Sequence, residues 1–304
     1  MKSNEYVIIT LKDGFVYKAR RFMQKIAYGV FGPETMTKVY FRILLGRELN
    51  LDAPKTFNEK ICYYKLYYCA KNERIAKCAD KYWVRDYLTA KGYADNLIDL
   101  LGVWDEPEDI EWDQLPEKFA LKRSNGCGYN IICTNKCGVN EKDVKKLLKK
   151  WQKDKFGKYN VEPHYDILPS KIICEKYINS EGRLPVDYKI HCCNGKSKYV
   201  MVCDGRVRGR TNFYYYDMNG KILDVETDGS SKPFDLDEKL FHEMIRISDD
   251  IAQDFPFVRV DFYIDNNKLM IGELTFTPTA GYDYTLSCKG DEMIGKMFQI
   301  EDWR

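Results

Sequence analysis

Residues 258–281 read VRVDFYIDNNKLMIGELTFTPTAG. Two apolar runs, Val258 to Ile264 and Leu269 to Leu274, flank Asp265-Asn266-Asn267, which is the pattern of a β-hairpin. Each run nevertheless carries a carboxylate, Asp261 or Glu273, and Arg259 stands two positions before the first. Side chains alternate along a strand, so Arg259, Asp261 and Tyr263 share one face while Val258, Val260, Phe262 and Ile264 share the other. If Asp265 to Asn267 form a three-residue loop, Ile264 pairs with Lys268, and the odd-numbered residues of both strands point to one side. Asp261, Glu273 and Arg259 then cluster. Carboxylates held this close repel unless positive charge lies between them. Arg259 can neutralise one, and a divalent cation could bridge both, since Mg²⁺ takes one or two carboxylates and fills its octahedron with phosphate oxygens and water. A cross-strand Arg–Glu pair on a solvated face, worth ~0.2–1 kcal/mol, accounts for the same charges without a ligand. Spacing alone leaves both readings open.

Upstream of the hairpin, residues 237–253 carry Leu240, Met244, Ile247 and Ile251 at helical spacing, with Asp237 as a cap. The pair Asp235-Leu236-Asp237 is read as that cap rather than as a metal-binding Asp-x-Asp. Strands are expected at DYKIHCCNG, SKYVMVCDG and TNFYYYD, and Asp187 and Lys189 share one side of the first. The loop DGRVRGR places Arg206, Arg208 and Arg210 where they could clamp a phosphate or carboxylate, although solvated arginines are the default. KIICEKYI, residues 171–178, is a buried-type strand. Its end, Glu175 to Ile178, could offer backbone groups to a base.

FALKRSNGCGYNII, residues 119–132, reads as strand, glycine-punctuated loop and strand. Gly126 and Gly128 let the backbone turn its N–H groups toward an anion, with Lys122 just before them. The stretch is neither a Walker loop nor a dinucleotide fingerprint, and a Gly-x-Gly turn is more often only a hairpin tip. NEKDVKKLLKKWQK follows as a helix capped by Asn140. Earlier, DKYWVRDYLTAKG is a helix with Asp80 as cap and Gly92 as stop, and Lys81 and Arg85 share one face. Residues 1–50 are the least patterned part.

The chain has 304 residues with 44% apolar and 31% charged residues, the composition of a soluble globular protein of one to three domains. A net charge of +2 gives no global reason to bind nucleic acid. Eleven cysteines, none spaced Cys-x-x-Cys, and only three histidines argue against a zinc site and fit a reducing, cytoplasmic setting. No apolar run reaches the ~18 residues of a membrane span. The basic, partly apolar stretch YKARRFMQKIAYGVFG could rest on an anionic membrane surface or a membrane-bound partner, or be a solvated helix. The order of elements is α+β, with two sheets facing one cleft.

Taken in order, KTFNEKI, DKYWVRDYL, LLGVWD, FALKRSNGCGYNII, DYKIHCCNGK, RTNFYYYD and FPFVRVDFYIDNNKLMIGELTFTPTAG resemble the TupA-like ATP-grasp family of bacterial surface-polysaccharide and teichuronopeptide synthesis. The resemblance runs from about residue 40 to 285, and its most specific part is the hairpin. It implies two α+β subdomains sandwiching ATP: a helical extension over 1–50, an N-terminal subdomain over 51–115, a lid over 116–178 and a catalytic subdomain over 179–304. Under it, Lys81 and Lys122 reach the phosphates, Gly126 and Gly128 form the lid tip, Glu175, Tyr177 and Ile178 meet adenine, and Asp187 takes the ribose. Lys189, Arg259 and Arg210 attend the γ-phosphate or an acyl-phosphate, and Asp261, Glu273 and Thr275 hold Mg²⁺. Thr275 stands where many ATP-grasp ligases have Asn, a weaker ligand for a second metal. The implied reaction is ATP-dependent joining of a carboxylate to an amine through an acyl-phosphate, with polysaccharide machinery at the inner face of the membrane as the expected partner. A glycosyltransferase and a kinase of the same fold are the alternatives.

Overall fold

The computed structural model describes residues 6–10, 15–178, 185–207, 210–226, 235 and 237–304, with side chains from residue 19 onward except those of 205–210. Among the described residues ten strands form two five-stranded antiparallel sheets, in the orders β1-β4-β3-β5-β2 and β10-β9-β6-β7-β8.

The second sheet, here the base sheet, comes from the C-terminal half: β6 (Asp187–Cys193), β7 (Lys196–Val207), β8 (Arg210–Asp217), β9 (Phe257–Asp265) and β10 (Lys268–Thr275). Helix α6 (Glu238–Ala252), capped by Asp237, which accepts from Leu240 N at 3.0 Å, lays Met244, Ile247 and Ile251 on one face of it. These meet Ile190, Val258, Val260 and Phe262 in the largest core cluster. The charged half of the β9 alternation therefore faces the other way.

The first sheet, labelled the lid sheet only because the segment expected to form a lid supplies its three central strands, is assembled from distant parts of the chain. Its centre is the hairpin β3 (Phe119–Arg123) and β4 (Tyr129–Cys133), flanked by β5 (Ile172–Lys176). Helix α5 (Glu141–Gln152), with Asn140 at its cap, packs Val144, Leu148 and Trp151 against Phe119, Leu121, Ile131 and Cys174. Each such buried side chain stabilises by ~1.5–3 kcal/mol. Lys122, Ala120, Asn130 and Ile132 alternate to the opposite face. At the edges lie β2 (Leu100–Trp104) on β5 and β1 (Tyr6–Thr10) on β4. The lid sheet thus takes two strands from outside 116–178, and the N-terminal extension holds a strand as well as a helix.

That helix, α1 (Phe15–Leu45), is kinked at Gly32 (φ 75°), next to Pro33. Before the kink it packs on the lid segment around Asp154 and Tyr159. After it, Phe41 is buried with Cys62, Tyr63 and Tyr282 of the base. Among the described residues the remaining α-helices are α2 (Phe57–Tyr64), α3 (Glu73–Ala79), α4 (Val84–Ala90) and α7 (Cys288–Gly295). The KTFNEKI stretch opens α2 with a capping box between Thr56 and Glu59. All eleven cysteines are free thiols.

Candidate active site

The hairpin forms with a register different from the expected one. Asn266 and Asn267, with φ of 50° and 60°, make a two-residue turn, so Ile264 pairs with Leu269 rather than Lys268. Continued without interruption, that register would set Glu273 opposite Val260, on the core face. A β-bulge between Ile271 and Glu273 inserts Gly272 as the extra residue and returns Glu273 to a position opposite Asp261. A Cβ on Gly272 would collide with the Tyr263 ring, which lies across the bulge. The expected convergence of the two carboxylates is therefore present, but a glycine bulge produces it.

Pairing extends this convergence into two rungs across β6, β9 and β10. Lys189 pairs with Asp261, which pairs with Glu273; His191 pairs with Arg259, which pairs with Thr275. Asp261 is fully buried. Its Oδ1 accepts from Arg259 Nε at 2.6 Å, and its Oδ2 accepts from Arg259 Nη2 at 2.7 Å and from Lys189 Nζ. Burial pushes the carboxyl pKa up, but Arg259 and Lys189 outweigh it and hold it below the usual range. Asp187 adds a second anion 3.2 Å from Lys189 Nζ. Arg259 Nη2 also reaches Thr275 Oγ1 at 3.1 Å and lies 3.7 Å from Glu273 Oε1. Glu273 is the more open carboxylate, its side chain 35% exposed, with Lys81 Nζ 3.5 Å away. His191 was missed by sequence reasoning, although it continues the alternation Asp187, Lys189, His191. Burial first, then Arg259, depress its pKa well below the usual value, so it is a neutral neighbour of the charges.

From the lid side, Lys122 Nζ meets Glu175 Oε2 at 2.5 Å, and Arg85 lies 3.9 Å from the other oxygen of Glu175. The glycine turn approaches the base: Lys81 Nζ donates to Gly126 O at 3.0 Å, and Lys81 N donates to Ser124 O at 2.8 Å. Ser124 Oγ in turn donates to the buried Asp80 at 2.7 Å. Asp80 also accepts from Tyr82 N at 2.8 Å and Trp83 N at 3.2 Å, so it ties down the turn between α3 and α4, and the helix it was expected to cap begins only at Val84, with Trp83 at its N-cap. Gly126 (φ +78°) has no room for a side chain, since a Cβ would lie 2.9 Å from Phe156.

A cavity of about 360 Å³ lies between the sheets. Of the expected site residues, Lys81, Lys122, Gly128, Tyr177, Ile178, Asp187, Lys189, Arg259 and Glu273 line it. Gly126, Glu175, Asp261 and Thr275 stand just behind these, in the contacts given above. The side chain of Arg210, like those of Arg206 and Arg208 and the connection 179–184, lies outside the described residues. The cavity also has apolar walls that the motifs did not name, among them Ile98, Ala120, Ile132 and the Tyr263 ring. The period-two alternation of β3 and β4 is the signal that would have found Ala120 and Ile132.

The donor set at the base suits a magnesium ion that shares its shell with phosphate. Two carboxylates and a hydroxyl converge, and among the described residues no group of three or more His, Cys, Asp or Glu could hold a metal by itself. Glu273 faces the cavity with only long contacts, Thr275 Oγ1 and Lys81 Nζ each at 3.5 Å and Arg259 at 3.7 Å, whereas Asp261 is already held by two cations at short range. An anionic ligand entering here meets Lys122 from one sheet, Lys189 and Arg259 from the other, and Lys81 from the turn between α3 and α4.

The family model for the TupA-like ATP-grasp proteins matches residues 59–299. No curated protein matches the sequence. Among solved structures, D-alanine–D-alanine ligase from Bacillus anthracis complexed with ATP aligns at 14% identity and a TM-score of 0.43, over 72% of this chain and 64% of that one. The Helicobacter pylori D-alanine–D-alanine ligase aligns at 14% identity and 0.42, over 80% and 65%. D-cycloserine synthetase DcsG aligns at 13% and 0.42, over 73% and 70%. This chain thus spans somewhat less than two thirds of the length of the two D-alanine ligases. With the family match running over most of its length and two antiparallel sheets closing on one charged cavity, this chain belongs to the TupA-like ATP-grasp family.

Proposed function

We propose that the chain is an ATP-dependent carboxylate–amine ligase. The observation that supports it best is the pairing of Lys189, Asp261 and Glu273 in one rung, with Arg259 beside it, on the wall of the cavity that the glycine turn closes. In this reading the apolar walls and the Tyr177–Ile178 backbone take the adenine, and Asp187 takes the ribose. Lys81 and Lys122 neutralise phosphate, and the N–H groups around Gly126 and Gly128 cover it. Glu273, with Asp261 behind it and Thr275 at its flank, would hold Mg²⁺, which supplies charge neutralisation of the β- and γ-phosphates.

The substrate carboxylate attacks the γ-phosphorus, the bond to the ADP oxygen breaks, and an acyl-phosphate forms. Lys189, Arg259 and, in the sequence-based assignment, Arg210 stabilise the charge that accumulates as the two anions meet. A neutral amine then attacks the carbonyl carbon, phosphate leaves with the bonding pair, and the amine gives up a proton to solvent. A closed glycine turn keeps water from the intermediate. Action in surface-polysaccharide or teichuronopeptide synthesis, on a saccharide or small-molecule carboxylate, from the cytoplasmic side of the membrane, is the setting we assign.

The test is nucleotide turnover with hydroxylamine present. A ligase releases ADP and yields a hydroxamate of its carboxylate substrate. AMP release, or a phosphorylated product that hydroxylamine leaves intact, would move the assignment to another ligase chemistry or to the kinase. Binding of a UDP-sugar with no response to ATP would move it to the glycosyltransferase.

A further inference from the structure

Among the described residues eleven large hydrophobic side chains stand exposed, and eight of them lie on α1. Phe22, Met23, Ile26 and Val30 form one stripe at helical spacing and are exposed by 63%, 63%, 46% and 69%. The polar face of the same helix points inward. Arg21 sits 3.5 Å over the Tyr159 ring, and Lys25 Nζ lies 3.3 Å from Asp154. This is the reverse of an ordinary surface helix, which buries its apolar stripe. An apolar face this concentrated marks a contact surface.

The surroundings of the stripe select its occupant. Residues 14–33 contain Lys18, Arg20, Arg21 and Lys25 and no acidic residue. Arg20 is exposed at the edge of the stripe, and the lid segment on which α1 packs exposes Lys153, Lys155 and Lys158. Asp154, the acid of that segment, is held inward by Tyr129, Tyr159 and Lys25. We propose that the outward face of α1 lies on an anionic phospholipid bilayer, with its apolar stripe among the acyl chains and the basic rim on the headgroups. Apolar insertion plus a basic patch is the two-signal combination that gives stable peripheral binding. The helix lies in the interface and does not cross it, because no described helix is long and apolar enough to span a membrane. A second copy of the chain fits the same face poorly: a twofold contact would bring one basic rim onto another.

The experiment is co-sedimentation of the full chain with vesicles of phosphatidylglycerol and phosphatidylcholine, and with phosphatidylcholine alone, at low and high salt. The full chain is expected to partition onto the anionic vesicles at least about tenfold better than onto the neutral ones, and high salt should remove most of that preference. Phe22→Asp with Ile26→Asp should lose the binding by about tenfold or more, while its thermal shift with ATP and Mg²⁺ stays at the wild-type value. Both side chains are exposed, so the variant folds, and the nucleotide shift shows that it has. Absence of vesicle binding by the wild type, or equal binding by the variant, overturns the proposal. So does self-association in light scattering that the double substitution abolishes, which would give the face to a second copy. None of these outcomes depends on which reaction the cavity catalyses.

Discussion

On the base sheet the cavity wall is a rung of charges, each tied to its neighbours by short contacts on adjacent strands. On the lid sheet it is Ala120 and Ile132, with Lys122 and Glu175 paired beside them. The base strands β6 to β10 follow one another in the sequence apart from α6, whereas the lid sheet gathers strands from residues 6–10, 100–104, 119–133 and 172–176. One wall carries most of the ion pairs. The other mixes apolar side chains with the Lys122–Glu175 pair, is placed by long-range packing, and ends in a turn that contacts Lys81 and Asp80. In the proposed reading the charge chemistry falls to the first wall and the apolar recognition of a ligand to the second.

The largest effect should come from the base. Asp261→Asn takes from buried Arg259 and Lys189 the carboxylate they share, leaving Arg259 with Glu273 at 3.7 Å and Lys189 with Asp187 at 3.2 Å, and breaking a buried pair on one side costs about 3–5 kcal/mol. Urea denaturation at neutral pH should show that loss, together with loss of nucleotide turnover. The matching lid change, Glu175→Gln, removes the anion from Lys122, whose side chain is 17% exposed. Glu175 itself is only 5% exposed, so the change also leaves a buried contact unmade, but Lys122 keeps access to solvent and the cost should be smaller, about 1–3 kcal/mol. Equal losses from the two walls would end the distinction between them. Glu273→Gln sharpens it from inside the base. With its side chain 35% exposed, its loss should leave the denaturation midpoint nearly unchanged while removing the thermal shift by ATP with Mg²⁺.

Two glycines offer the next size of effect. Gly272→Ala drives a methyl into the Tyr263 ring, and overpacking of this kind costs about 1–3 kcal/mol. If the bulge gives way instead, Glu273 rotates to the core face and magnesium dependence goes with it. Tyr263→Ala in the same chain should recover most of the stability. Gly126→Ala, at φ +78° and facing Phe156, should raise the KM for ATP more than it lowers stability, since it deforms only the turn. If both substitutions act on stability alone, neither glycine positions a ligand.

Unequal legibility follows the same division. The hairpin, the charged face of β9, the cap at Asp237 and the strand alternation of β6 were readable, because each is encoded within a few neighbouring residues. The register was not. Asn-Asn can sit in a two- or three-residue loop, and only the packing of Tyr263 on Gly272 decides where the bulge falls. Strand β1 was missed because YVIIT is five residues long and its partner β4 lies more than a hundred positions away. Strand β2 likewise shows its membership only through β5. His191 escaped notice because a histidine on a charged face carries no spacing signal of its own, and the apolar cavity walls escaped because Ala120 and Ile132 look like core.

The finest test lies at the seam where the two regions touch. Thr277, just past β10, donates from Oγ1 to Glu162 Oε1 at 2.6 Å, and Lys65 Nζ reaches Asn160 O at 3.1 Å. Burial raises the pKa of Glu162 to about 7, against the smaller opposing effects of Thr277 and Lys65. A carboxyl raised in the fold contributes stability that is complete below its ordinary value of 4.5 and is lost as pH rises through about 7. His164 acts in the opposite sense: burial, then Lys65, lowers it to about 3, so its contribution is present above 6.5 and lost as pH falls through about 3. The wild-type profile therefore mixes the two, and a difference isolates Glu162. The Tm of Glu162→Gln minus that of the wild type should increase between about pH 5 and pH 7 and level off above that, since only the wild type must either ionise a buried group or hold its proton as pH rises. A difference that stays flat across that window would mean that Glu162 is already ionised in the fold, and that the contact between lid and base is a charge pair with Lys65 rather than a neutral hydrogen bond to Thr277.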